Sequence, residues 1–196
     1  MDKQLERQFL ATIGRYLVSL PFDLKVLYEA MTDPELDPAA REVAAAAVVY
    51  VLSPSDIVGD REHKLAGFVD DAILVRTALK RVAEIGGESA QPFLARFTEE
   101  YAGVEEDVAL FQQALGDLHP WLVGKLDAFK KLVYKGRRAT DYLDEEAATS
   151  FLYDEWLAFQ TDYDITETTL EGRLRRADPI LELLRRRRAE EAKKIS

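Results

Sequence analysis

Apolar residues recur three or four apart along nearly the whole chain, and no segment alternates with period two for long enough to propose a sheet; the pattern predicts an all-α protein. In the first segment Leu5, Phe9, Ile13, Tyr16, Leu17 and Leu20 fall on one stripe. With Asp2 as cap and Pro21 as stop, they predict an amphipathic helix of about 18 residues. A short helix over 22–31 follows and breaks at Asp33-Pro34, because proline pushes its predecessor out of the helical backbone region. Asp37-Pro38 restarts the chain with a capping carboxylate and a first-turn proline, opening an alanine-rich helix that ends near Leu52. Past the least helical stretch, residues 68–85 carry Ala72, Val75, Leu79 and Val82 on one face, with Val69, Ile73 and Leu74 widening it. A helix apolar around most of its circumference must be surrounded, so its start belongs at the centre of the bundle. Gly86-Gly87 ends it.

Further helices are predicted at about 91–102, 104–116, 118–134, 144–161, 167–177 and 179–194, punctuated by Gly103, Asp117, Gly136 and Asp178-Pro179. Thr166 and Thr168 compete for the cap before the fifth of these. The expectation is one compact domain over residues 1–196, a bundle of about eight or nine helices. It contains a helix–loop–helix corner at 38–85 and a basic carboxy-terminal helix at 179–194 that is free to protrude.

Charge narrows the choice of partners. The chain has 196 residues, 26 Lys+Arg against 36 Asp+Glu, and a formal net charge of −10, which argues against nucleic acid and against an anionic membrane. With 47% hydrophobic and 32% charged residues it belongs among globular chains rather than disordered ones. No cysteine is present, which excludes disulfides, thiol catalysis and Cys-ligated zinc or iron–sulfur sites, and two histidines exclude a multi-His metal site. The amino terminus, MDKQLERQFL, mixes both signs of charge and lacks the apolar stretch of a secretory signal. The longest apolar run, Val43 to Leu52, has 10 residues, half of the roughly 20 that cross a bilayer. The expected location is the cytoplasm, with membrane contact only peripheral if any.

The charge is also blocked. Between Arg138 and Arg173 lie ten acids and no lysine or arginine; from Arg173 to the end there are nine bases and four acids. Arg185, Arg186, Arg187 and Arg188 near a helix carboxy terminus complement its dipole, and the plain expectation is that this end pairs with the acidic segment before it. The alternative is an interaction tail for an acidic partner, nucleic acid or lipid headgroups, although four adjacent arginines wrap around a helix instead of forming one stripe.

The stretch YVLSPSDIVGDREHKLAGFVDDAILVRTAL, from Tyr50 to Leu79, contains Tyr50, Ser53, Pro54, Asp56, Asp60, Gly67, Asp70 and Asp71 in an order that resembles the YkvA-like family, a small bacterial domain of unknown function. The resemblance covers about residues 38–82. It departs from the family at Gly59, where proline is usual, and in the linker Arg61 to Ala66, which is one residue longer and charged where many relatives are greasy. An ionised side chain costs about 2.5–3.5 kcal/mol at the centre of a membrane helix, so this linker is not built for insertion. The resemblance implies a fold and no reaction.

Two readings of the corner stand side by side. In one, Ser53-Pro54-x-Asp56 is a helix exit and turn, and Asp70 and Asp71, in the first turns of the next helix, bond free amides at its positive dipole end. In the other, Asp56, Asp60, Asp70 and Asp71, with His63, gather around Mg²⁺, Mn²⁺ or Ca²⁺, since packed carboxylates need positive charge to stay ionised together. Arg61, Lys64 or Arg76 is an alternative source of that charge. No phosphate-binding glycine loop, HExxH or GxSxG occurs, and Asp162 to Arg173 only begins like a calcium loop. The aromatic residues Phe151, Tyr153, Trp156 and Phe159 are expected to pack the core, and His119 to sit at a helix start. No catalytic residue and no cofactor is assigned. The expected function is a non-catalytic protein-interaction module, an adaptor or scaffold with a protein partner or with self-association. The alternatives are a divalent-metal-binding protein or metal-dependent hydrolase using the loop aspartates, and a peripheral membrane factor docking through the basic helix.

Overall fold

Carboxylates at the entry of the chain into helices set the first two elements. In the computed structural model, which describes residues 1–54, 57, 65, 67–143, 145–170 and 172–195, helix α1 spans Lys3–Thr32 and helix α2 spans Pro38–Leu52. Asp2 accepts the amides of Gln4 and Leu5 at 2.8 Å each, and Asp37 accepts that of Ala39 at 2.8 Å. These caps satisfy donors that have no partner inside the helix.

The expected stop at Pro21 does not occur, and the two helices predicted on either side of it are one. A proline inside a helix removes the bond to the carbonyl four residues back and costs about 3 kcal/mol. Tertiary contacts offset that loss. The Tyr163 hydroxyl donates to Leu17 O, the carbonyl Pro21 cannot serve, at 2.5 Å, and the Trp156 indole donates to Pro21 O at 2.8 Å. Leu17, Leu20, Leu24 and Leu27 are all fully buried, so the apolar stripe continues through the proline. Tyr163→Phe is therefore expected to lower stability by about 1 kcal/mol in urea unfolding. That loss should largely disappear in a Pro21→Ala background, where residue 21 supplies its own N–H; equal losses in both backgrounds would show that the hydroxyl does not replace the missing ladder bond.

Helix α3, Phe68–Gly86, begins where expected, and every residue from Val69 to Leu79 is buried. It packs against both α1 and α2, whose own contact is also extensive, so these three helices form the centre. Ala44, Ala45, Ala46 and Ala47 are buried, and their small side chains let the neighbouring backbones approach α2 closely. Gly87, at φ 51°, ends α3 in a conformation that costs a glycine little.

Three of the remaining predicted helices are broken or cut short. The helix expected at 91–102 is divided by Phe97, at φ −124° and ψ 40°, into α4, Gln91–Arg96, and α5, Thr98–Tyr101. Helix α6 spans Val104–Leu115 and starts from Gly103, as expected. In place of one helix at 118–134 there are α7, Leu118–Val123, α8, Lys125–Phe129, and then a two-stranded hairpin of β1, Val133–Tyr134, with β2, Arg137–Arg138. Lys135 and Gly136 both have positive φ, 48° and 83°, the requirement of a two-residue turn whose twist matches its strands. A 3₁₀ helix, Ala139–Leu143, follows and packs on α2. Helix α9, Glu146–Asp162, lies on α1. The helix expected at 167–177 ends early, as α10, Glu167–Leu170, with Gly172 at φ 74° beyond it. Thr166 and not Thr168 is its cap, accepting the amide of Thr169 at 3.2 Å.

Helix α11, Asp178–Ile195, does not protrude. Ile180, Leu181 and Leu184 are buried, Arg188 pairs with Asp117 at 2.8 Å, and Trp121 and Lys125 both reach Glu191. Buried residues from α1 to α11 join one hydrophobic cluster. Among the described residues, no helix is long and apolar enough to cross a membrane.

Candidate functional site

The corner between α2 and α3 brings four of the predicted residues together. Tyr50, in the last turn of α2, and Asp70 and Asp71, in the first turn of α3, are each 0% exposed, and Ser53, the residue that closes α2, is buried beside them. The Tyr50 hydroxyl donates to Asp70 Oδ2 at 2.5 Å and accepts the amide of Ile57 at 2.9 Å. Its ring stacks on Phe129 with centroids 4.2 Å apart. Burial, then the charges of Asp70 and Asp71, hold the phenol well above its usual pKa, so it stays protonated and serves as a fixed donor rather than as a base or nucleophile. One phenolic oxygen thus ties the start of α3 to the chain leaving α2.

Residues 40–76 match a family model described as a protein of unknown function, DUF1232. No curated protein and no solved structure matches the chain. The matched segment lies inside the stretch that resembles YkvA-like proteins and contains the whole Tyr50–Asp70–Asp71 arrangement, but it is a short part of the chain. Of the other predicted residues, Gly67 is buried and precedes α3, and Pro54 is exposed. Asp56 and Asp60, with Arg61, His63 and Lys64, lie outside the described residues. Among the described residues no three His, Cys, Asp or Glu side chains converge on a point where a metal ion would sit.

Arg76 does not serve the corner, contrary to one expectation. It is 2% exposed and turns to the opposite side of α3, where its guanidinium reaches Asp23 at 3.3 Å and Glu100 O at 2.7 Å and lies 4.1 Å from the centroid of the Tyr16 ring. Ser19 donates to the other oxygen of Asp23 at 2.9 Å. Burial still pushes Asp23 up to about 6, against the opposing pull of Arg76 and the Ser19 bond. The Tyr16 hydroxyl donates to Asp107, which Arg15 approaches at 3.3 Å, and these last two residues line an open groove of about 590 Å³ between α1 and α6. A polar chain therefore runs from that groove to the core through Asp107, Tyr16, Arg76 and Asp23. Sequence reasoning missed it, although Asp23 sits three residues after Leu20 and four before Leu27, on the buried stripe, and Arg76 interrupts the apolar run ILVRTAL. A charge on an apolar stripe is the signal of a buried pair.

Among the described residues, the four arginines of α11 lie against nearby acids. Arg185 lies 3.9 Å from Glu182, Arg186 and Arg187 each lie 3.1 Å from Glu190, and Arg188 pairs with Asp117. Such exposed pairs are worth about 0–1 kcal/mol each. His119 is in the first turn of α7, and its Nε2 is buried; burial and the nearby Lys80 lower its pKa. Of the aromatic group on α9, Trp156 is buried and Phe151 and Phe159 are half-buried, whereas Tyr153, expected in the core, is 37% exposed, its ring lying against Tyr28 at the edge of the contact with α1.

Proposed function

We propose that the protein is a non-catalytic helical interaction module acting in the cytoplasm, an adaptor or scaffold in which the DUF1232-matching corner is a strut. The observation that carries this reading is the placement of Asp70 and Asp71, both with 0% exposure at the corner of α2 and α3, and the bond that Asp70 accepts from Tyr50. A carboxylate that activates water or grips a substrate has to face a cleft; these face the interior and hold two helices at a fixed angle. Blocked charge supports an associative role, since segregated acidic and basic surfaces steer encounters.

Two measurements test it. Titration calorimetry with Mg²⁺, Mn²⁺ and Ca²⁺ is expected to give no heat that depends on Asp70 or Asp71, and cross-linking of the full chain in growing cells is expected to trap a stoichiometric protein partner. Heat lost in Asp71→Asn, accompanied by metal-stimulated turnover of a phosphate ester, would replace this reading with the metal-dependent one.

A further inference from the structure

We propose that the seam between α1 and α9 is the docking surface, and that it takes a basic amphipathic helix of a partner protein. The inference rests on the interaction-module reading and gives it a place and a ligand chemistry. Large apolar side chains are mostly enclosed in this fold, yet Phe22 is 48%, Tyr153 37% and Leu157 39% exposed. All three belong to one seam. The indole of Trp156 is bonded to Pro21 O beside Phe22, Tyr28 and Tyr153 rings lie 5.4 Å apart across the seam, and Tyr153 and Trp156 rings lie 5.3 Å apart along α9. On α9, Leu157 is four residues from Tyr153, hence on the same face.

Charge around the seam selects the occupant. Asp154 is exposed, three residues from Leu157 on the helix surface, and Glu29 borders the patch on α1. Both carboxylates lie close enough to raise the Tyr28 hydroxyl, after burial itself. The segment between Arg138 and Arg173 carries ten acids and no lysine or arginine, and Lys25, 5.9 Å from the centroid of the Trp156 ring, is the cation set against the patch from α1. Phosphate-bearing surfaces, whether nucleic acid or anionic lipid, are repelled by that rim. A second copy seated by two-fold symmetry sets the same acids against themselves. A helix with apolar residues at three- and four-residue spacing, flanked by lysine or arginine, answers both the aromatic floor and the acidic edge.

The test uses the full chain and three labelled peptides: a leucine–lysine helix with leucines at helical spacing, the same composition scrambled, and a leucine–glutamate counterpart. Fluorescence anisotropy is expected to show binding of the first alone, weakened by salt. Phe22→Ser combined with Leu157→Ser should weaken it about tenfold or more, since each side chain gives up its buried apolar area. Each side chain is partly buried, so the urea midpoint is measured alongside and binding is compared where both proteins are fully folded. Equal binding of the scrambled peptide, or wild-type affinity in the double variant, overturns the proposal, as does a dimer in sedimentation velocity that Phe22→Ser disperses. Cross-linking in cells separates this failure from failure of the broader reading. A partner retained by the double variant removes the seam and leaves the module; no partner with the wild type removes both.

Discussion

Replacing Arg76 by methionine is expected to lower stability by about 3–5 kcal/mol at neutral pH, because it strips the compensating charge from a buried carboxylate. The aliphatic stem is kept, so the loss belongs chiefly to the guanidinium and its bonds to Asp23 and Glu100 O. The pH dependence identifies the cause. Asp23 has a folded-state pKa of about 6 against an ordinary 3.8, so it binds its proton more tightly folded than unfolded. Its contribution is least unfavourable below pH 3.8, becomes more unfavourable as pH rises towards 6, and is constant above that. Without Arg76, the first opposing influence, the folded value climbs further and the penalty continues to grow above pH 6. Urea midpoints of wild type and Arg76→Met should therefore converge towards pH 5 and separate at pH 7 and above. A difference independent of pH would mean that lost packing, not a bare carboxylate, explains the defect.

Tyr50→Phe is expected to cost about 1.5–3 kcal/mol, the range for a hydrogen bond to a charged group whose acceptor stays buried. The ring remains on Phe129, so the substitution isolates the hydroxyl. Hydrogen exchange should show the Ile57 amide opening faster, since that oxygen is its acceptor. Unchanged stability with unchanged Ile57 exchange would show that the phenol is not a strut and would remove the main support for reading the corner as structural.

The corner was legible because its signals are local. Tyr50, Ser53, Gly67, Asp70 and Asp71 stand at fixed spacing around a proline, and spacing survives in one dimension. The phenol was not legible: Asp70 accepts from the Tyr50 hydroxyl of the preceding helix, a partner that neither the turn nor the helix start points to. Arg76, six residues beyond Asp70, was equally ambiguous, since a side chain in a helix buried on all sides has two elements to choose between. Only the position of α1 directs it to Asp23.

Sequence alone determined the all-α class, the caps at Asp2 and Asp37, the enclosed start of α3 and the ends at Gly87 and Gly103, because periodicity and capping act within one or two helical turns. Tertiary structure decided the rest. Tyr163 and Trp156, distant in sequence, supply the bonds that let α1 run through Pro21. The tight turn at Lys135-Gly136 converts a helical pattern into a hairpin, and contacts with α7 and α8 hold a charged terminal helix against the body. At Pro21 and at the terminal helix the deciding free energy comes from groups far along the chain, which no local pattern encodes.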